Sequence, residues 1–569
     1  MPASKVLTDE EERVNERTVL LSPAAQAADY EAIAATKAAR SLDDRDPQDV
    51  TRRATILIFL GVWTGVFLGA LDTTVVATIF SQISSSFGAS NQSSWLATSY
   101  LLATATCTPL YGRLSDIFGR RGASMLALTL FTVGTLLCGL AGSMETLIVA
   151  RLIAGMGGGG LMTTSSIIAS DLIPLKQRGF VQGLVNICFG AGAGLGGPLG
   201  GLIADRLGWR WAFLMQIPPL IVCFVLVFIF VRYRVPGQTG TLSQKVKRVD
   251  WAGSATLVIA VASLLLGLSF KNNEDYAWSS PWVWAPLIIW VVFTLIFGLV
   301  EAYVSPEPVM PLRLLRQRSI FFIALSNFIA SAISFSVLYF YPLFFESVKL
   351  STAGEAGLHL LPNSVALSIG SLVSGYLMRR TGKYWWLIVG SAGLPIVAFI
   401  IMVMLDRNSP AWLTWIAVIP SGFGYSSLIT SLLIALISTA DRADMATATG
   451  LSYLFRYVGQ VVGVALSSSF MQSILTSQLR ANLTGPGSAE LIEKIRHTTS
   501  IVKDLPPDTQ SIAIDAYQKA LRAVYLLNGG LAILGLLCAF PIREVPLSDS
   551  FEEEEQRRRE REDAQSTET

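Results

Sequence analysis

The chain is organised as long apolar runs separated by short polar turns. A helix needs about 20 mostly apolar residues to cross the roughly 30 Å hydrocarbon core of a bilayer. Runs of that kind stand at 54–80, 94–111, 122–142, 145–170, 178–204 and 210–231. After a basic linker from Arg232 to Asp250 come 251–270 and 282–304, and then 320–345, 354–378, 384–405, 411–438, 445–474 and 520–541. The grouping is six, two and six. It predicts an all-α membrane protein with fourteen transmembrane helices: two six-helix bundles at 54–232 and 320–541, and two extra helices within a linker at 233–319. The polar stretches 1–53 and 542–569 are expected to be tails. Met1 to Arg53 contains no short apolar core followed by a cleavage site, so no secretory signal peptide is expected and the first long run must itself insert.

Basic residues in short loops favour the cytoplasmic side. With the N-terminus cytoplasmic, the inner loops hold seventeen Lys and Arg, from Arg113 to Arg442, while the outer short loops hold five: Arg206, Arg210, Lys271, Lys349 and Arg407. Both termini are therefore expected in the cytoplasm. The unblocked sequons at Asn91 and Asn482 then fall on the opposite side, where glycosylation is possible. Segment 475–519, with Pro486 and Pro506-Pro507 around an amphipathic stretch, is expected to be a loop lying on that far membrane surface. In the N-terminal tail, Glu16, Leu20 and Leu21 fit an acidic dileucine sorting signal, a short pattern that also arises by chance. The mixed-charge run Glu552 to Asp563 is assigned to a solvated tail.

Composition narrows the function. Of 569 residues, 52% are hydrophobic and 15% charged, against roughly 25% charged in globular chains, which excludes a soluble multidomain enzyme. The 47 glycines suit helices that approach closely in lipid. A net charge of +2 provides no field for nucleic acid. Cys107, Cys138, Cys188, Cys223 and Cys538 lie in apolar runs without metal-ligand spacing, so buried inert thiols are expected. Gly157 to Gly160 is followed by no Gly-Lys-Ser/Thr and is no phosphate loop. No nucleophile-and-base set is present, and an enzyme is not expected.

The two bundles share a motif. After the second run the sequence is Gly112-Arg113-Leu-Ser-Asp116-Ile-Phe-Gly119-Arg120-Arg121-Gly122, and at the same place in the later group it is Gly375-Tyr-Leu-Met-Arg379-Arg380-Thr-Gly382-Lys383. A duplicated six-helix unit is the simplest account. The first loop resembles the signature loop of the major facilitator superfamily. In such a loop Asp116 can pair with a cation and meet a neighbouring helix N-terminus, and breaking that pairing would release one half from the other. Leu71-Asp72-Thr73-Thr74, Arg151-Leu-Ile-Ala-Gly155, Gly194-Leu-Gly196-Gly197-Pro198 and Phe455-Arg456-Tyr-Val-Gly459 resemble the fourteen-helix drug:proton antiporter branch. The wording of Ser94-Trp95-Leu-Ala-Thr98, Ser170-Asp171-Leu-Ile-Pro174 and Asn186-Ile-Cys-Phe-Gly190 is closer to fungal vacuolar basic amino acid transporters. Gly197 at the usual proline position, with Pro198 one place later, and Ala77 in place of Asn depart from the drug-exporter pattern.

A charged side chain inside a bilayer needs a partner, water or a task. Asp72 lies mid-run with no basic residue within one turn of its own helix; it is either the carboxylate that alternately holds a proton and a substrate cation, or half of a structural ion pair. By resemblance Arg151 is linked to proton coupling, with anchoring as the alternative. Arg456 is placed to hold a substrate carboxylate or to lock helices through carbonyls. Asn186, Gln216, Asn327 and Asn363 are candidate substrate ligands or interhelical bonds. Gly112, Arg113, Asp116, Gly119, Arg120, Arg121, Arg151, Gly197 and Pro198 are assigned to conformational change. The ladder from Gly190 to Gly201 is expected to pack helices closely, and His359 is expected at the membrane interface.

The resemblance implies a proton-coupled antiporter moving Lys, Arg and His into the vacuole by alternating access, with the proton gradient as driving force and no cofactor or metal. The expected partners are the small cationic substrate, protons and the lipid bilayer, and the chain is expected to act as a monomer. Export of drugs or a metabolite at the plasma membrane is the alternative; a non-transporting nutrient receptor is a remoter one.

Overall fold

A computed structural model describes residues 50–547 except 88–92, 234–243, 245–246, 273–275, 306–307, 352, 441–443, 484–487 and 498. Asn91, Glu16, Leu20 and Leu21 lie outside the described residues. The described chain forms α1 (Arg52–Phe87), α2 (Ser93–Leu140), α3 (Met144–Leu172), α4 (Leu175–Leu207), α5 (Trp209–Leu214), α6 (Ile217–Phe230), α7 (Trp251–Asn272), α8 (Pro281–Tyr303) and α9 (Leu312–Arg316). It continues with α10 (Arg318–Ser347), α11 (Ala353–Leu358), α12 (Leu361–Thr381), α13 (Trp385–Met404), α14 (Ala411–Ile416), α15 (Ile419–Thr439), α16 (Met445–Asn482), α17 (Ser488–His497) and α18 (Pro507–Ala539).

Thirteen stretches among the described residues are long and apolar enough to span a membrane. One of them, α2, accounts for two passes. Its continuous helical pattern is broken at Gly119, where φ is 88°, a backbone region open to glycine at little cost. The chain folds back there: a side chain at Gly155 of α3 would strike the Tyr100 carbonyl of the first arm, and one at Gly157 would strike the Phe131 amide of the second. The expected count of fourteen passes follows. The same step recurs in the second half, where Gly382, seven residues after Gly375 as Gly119 is after Gly112, also takes a positive φ of 68° at the end of α12.

Several boundaries differ from the apolar runs because polar residues extend helices and prolines interrupt them. The sixth, tenth and twelfth runs are each divided, into α5 and α6, α11 and α12, and α14 and α15, with proline in the first turn of each longer member. Among its described residues, segment 475–519 is largely helical rather than loop. Helix α16 runs on to Asn482 and α18 starts at Pro507, so that α17 and the 3-10 turn Thr499–Asp504 sit between two helix extensions. Apolar burial explains this: Leu475, Leu479, Ile495, Val502 and Ala513 join the core of the second half, and Tyr517 Oη donates to the Ile495 carbonyl at 2.7 Å.

Helices α1–α6 share two apolar cores, built around Phe131, Leu161 and Val227 and around Val75, Leu147 and Phe213. Helices α10–α18 share two more, around Phe344, Tyr525 and Leu475 and around Ile388, Leu432 and Ile320. The extra pair α7–α8 lies over the line where α2 and α16 meet: Leu257, Val261 and Leu265 pack with Ala105 of α2 and Leu454 of α16.

Candidate substrate and gating site

The helices from the two ends of the chain meet along two crossings, both near the basic loops. At one, α2 passes α16 so closely that a Cβ on Gly112 would lie 2.6 Å from the Ala446 carbonyl oxygen. At the other, α12 passes α4, and a Cβ on Gly375 would lie 2.5 Å from the Gly179 carbonyl oxygen. The repeated glycines Gly112 and Gly375 thus play the same part in both halves.

Polar groups reinforce each crossing. Arg120 is 2% exposed and bridges two carboxylates, Asp116 at 2.8 Å and Asp171 at 2.7 Å. The other oxygen of Asp116 accepts from Thr447 Oγ1 at 3.2 Å, in the first turn of α16. Tyr233 donates to Asp171 at 3.3 Å; burial, then the Asp171 carboxylate, raises this phenol well above its usual range, which keeps it a donor. Arg121 stacks on Phe228, its guanidinium 4.2 Å from the ring centre. The positive charge of Arg113 lies within electrostatic reach of Glu301 of α8. Deeper in, Ser166 and Tyr453 share a 2.6 Å hydrogen bond. Asn186 donates to Ser371 at 2.7 Å, and Ser371 and Thr430 lie 2.6 Å apart. Asn186 is therefore an interhelical bond between α4 and α12 in this arrangement.

Away from the basic end the α4–α12 crossing opens. Contact continues from Gly183, near Leu372, to Gly190, whose Cβ would lie 3.5 Å from Ser368. One turn further, a Cβ on Gly194 would meet nothing within 4 Å, and Ser364, Val365 and Leu195 are exposed. The ladder is two-sided: positions Gly192, Gly196 and Gly200 press against Phe67, Leu71 and Val75 of α1, whereas Gly194 faces open space. Gly197 lies near Thr78, and Pro198 sits inside α4.

Asp72 and Arg151 come together across α1 and α3. The Arg151 guanidinium meets Asp72 at 2.5 Å with both side chains out of solvent, Arg151 Nε donates to the Leu96 carbonyl at 3.2 Å, and the guanidinium stacks 4.3 Å above the Tyr100 ring. Gln216 Nε2 lies 3.5 Å from the second Asp72 oxygen. The sequence shows no basic neighbour for Asp72 because the partner arrives 79 residues later, on another helix.

Arg456 stands elsewhere, on α16, over the Tyr453 ring at 4.8 Å and facing the hydroxyls of Tyr425 and Tyr457. Its Nε has no hydrogen-bond partner among the described residues. Tyr425 also lines a small apolar cleft among α10, α13, α15 and α18 with Ile329, Ile333, Pro395 and Leu428. Asn327 Nδ2 turns back onto the Ile323 carbonyl of its own helix, and Asn363 packs on Gly422 of α15. His359 lies between Phe345 and Trp415, and Asn482 is exposed at the end of α16. The sequence reading overlooked Tyr100, Asp171, Ser371, Thr430 and Thr447 as parts of these sites. Asp171 carried the one available signal, an acid immediately after an apolar run and before Pro174.

Residues 62–464 match the family model described as Major Facilitator Superfamily. The chain belongs to the major facilitator superfamily. It is 39% identical to "Multidrug resistance protein fnx1" of Schizosaccharomyces pombe, over 87% of this chain and 94% of that one. It is 34% identical to "Vacuolar membrane amino acid uptake transporter fnx2" of the same organism (84% and 82%) and 31% identical to "Vacuolar basic amino acid transporter 2" of Saccharomyces cerevisiae (78% and 96%). Among solved structures, the human organic anion transporter MFSD10 aligns over 86% of this chain and 99% of its own with a TM-score of 0.58 at 13% identity, a likeness of fold. As a major facilitator, this chain is a multi-pass integral membrane transporter of small molecules and not an enzyme.

Proposed function

We propose that this chain is a proton-coupled antiporter that carries basic amino acids (Lys, Arg, His) from the cytosol into the vacuole by alternating access, with the basic loops and both termini in the cytoplasm. The observation that carries this reading is the Asp72–Arg151 pair. Arg151 is chemically what a cationic amino acid would present, a guanidinium, and it already occupies the Asp72 carboxylate at 2.5 Å inside the membrane. A substrate guanidinium or ammonium would compete with it for the same oxygens. A proton on Asp72 would remove the charge that either cation needs. That three-way competition supplies the coupling, because one buried carboxylate cannot fully stabilise two positive charges. Bundles 54–232 and 320–541 would rock about the Gly112 and Gly375 crossings, and the arrangement described here, closed at the basic end, would face the vacuolar lumen.

The vacuolar amino acid transporters among the relatives support the substrate class and compartment. In vesicles with an imposed pH gradient, Asp72→Asn should abolish gradient-driven uptake of labelled lysine and arginine, and undiminished uptake would reject the assignment. A second reading, export of drugs or a metabolite at the plasma membrane, is supported by the multidrug resistance protein among the relatives. Localisation of the tagged chain separates the two, and under the vacuolar reading Leu20→Ala with Leu21→Ala should move it to the cell surface.

A further inference from the structure

A second buried acidic site lies outside the Asp72 region, on the extra helix pair. Asp250, just before α7, and Glu301, near the end of α8, are 8% and 6% exposed. A Cβ on Gly253 would collide with Asp250 Oδ2 and lie 3.1 Å from Glu301 Oε1, so both carboxylates crowd one glycine. Asp250 is well satisfied: Oδ1 accepts from the Gly253 amide at 2.7 Å and Oδ2 from Ser305 Oγ at 2.5 Å. Glu301 is not. Its Oε1 accepts from the Met310 amide at 3.2 Å and the Val309 amide faces the same carboxylate, but buried Oε2 completes no hydrogen bond among the described residues. Among the described residues the charges whose fields reach Glu301 are Asp250 and Arg113, and Arg113 belongs to the Gly112–Gly122 turn that closes the basic end.

We propose that Glu301, beside Asp250, is a proton-binding site through which the pH at the basic end acts on the Gly112–Ala446 crossing by way of Arg113. Two adjacent carboxylates sharing a buried site do not both ionise without cost. A neutral Glu301 fits the arrangement described here, since a buried carboxyl with one oxygen outside any hydrogen bond and Asp250 beside it costs more as an anion than as a neutral acid. Loss of the proton places a second negative charge next to Asp250 and a new attraction on Arg113, and both changes strain the closed crossing. The site makes no contact with Asp72, and its role does not depend on which substrate is carried.

The test reads the gate and the proton directly, without transport. Spin labels on Gln177→Cys and Arg380→Cys, in an otherwise cysteine-free full-length chain in nanodiscs, report the separation of α4 and α12 at the basic end. Between about pH 5 and about pH 9, a range that covers buried carboxylates, the open-to-closed ratio should rise with pH by no more than tenfold per unit, the slope of one proton. In Glu301→Gln the ratio should stay at its acidic value. The infrared carbonyl band of protonated carboxylic acids should weaken over the same range in the unaltered protein, and in Glu301→Gln that loss should be smaller by one carboxyl. Asp250→Asn, which removes the like charge, should move both transitions to lower pH. A Glu301→Gln protein that keeps the full pH response, or an Asp250→Asn protein with unmoved transitions, overturns the proposal. Loss of lysine uptake with these signals intact would count only against the substrate reading.

Discussion

Asp116 on α2 and Thr447 on α16 are 331 residues apart in sequence and 3.2 Å apart in space. The same Asp116 holds Arg120 with its other oxygen, so one carboxylate ties the turn of the first half to the start of a helix in the second. Its place beside the first turn of α16 also sets a negative charge against the positive end of that helix.

Removing the hydroxyl in Thr447→Ala should weaken the closed state by about 1 kcal/mol, and a charge-accepting bond could cost up to about 3 kcal/mol. The expected result is a fivefold or larger shift towards the state open at the basic end, measured by label separation between α4 and α12. A cycle with Asp116→Ala should show the two changes to be non-additive.

The Gly375–Gly179 crossing has no room for a side chain. Gly375→Val should leave a folded, monodisperse protein that does not close at the basic end, with initial transport rates reduced by about tenfold or more, because interiors packed at crystal density do not yield to a methyl group against backbone. Normal rates in a well-expressed Gly375→Val chain would contradict the role given to this crossing.

Breaking the Asp72–Arg151 pair from one side should be worse than removing both charges. Arg151→Met leaves the Asp72 carboxylate buried alone, a change of about 3–5 kcal/mol in comparable pairs, whereas a neutral replacement of both partners is often tolerated. Thermal unfolding in detergent should therefore place Arg151→Met below the double variant Asp72→Asn with Arg151→Met.

Asn482 is exposed at the end of α16 opposite the basic loops. Expressed in a eukaryotic cell, the chain should lose an endoglycosidase-sensitive mobility shift on Asn482→Gln. Retention of that shift by Asn482→Gln, with its loss on Asn91→Gln, would place the modification at the other sequon.

Much of the fold was legible because membrane helices announce themselves by length and apolarity, and because Gly112 and Gly375 with their partners seven residues on repeat a backbone requirement that only glycine meets easily. The pairing of Asp72 with Arg151 was not legible, since sequence periodicity describes neighbours on one helix and says nothing of which faces meet. Nor was the helical packing of 475–519, where scattered apolar residues such as Leu479, Ile495 and Val502 fill one core only after the chain has folded. Asn186 illustrates the remaining gap: a lone polar residue in an apolar run is a ligand or a fastener according to what stands opposite, and here Ser371 stands opposite.

The α7–α8 pair, laid over the line between α2 and α16, makes the molecule unequal towards its surrounding lipid. On that flank the acyl chains meet an added wall that shows Ile259, Ile288 and Leu295 outward, while Leu257, Val261 and Leu265 turn inward onto α2 and α16. The two seams between the halves therefore differ among the described residues, the one at α2 and α16 being covered by the extra pair and the one at α4 and α12 not, and the extra helices give the transporter a front and a back within the plane of the membrane.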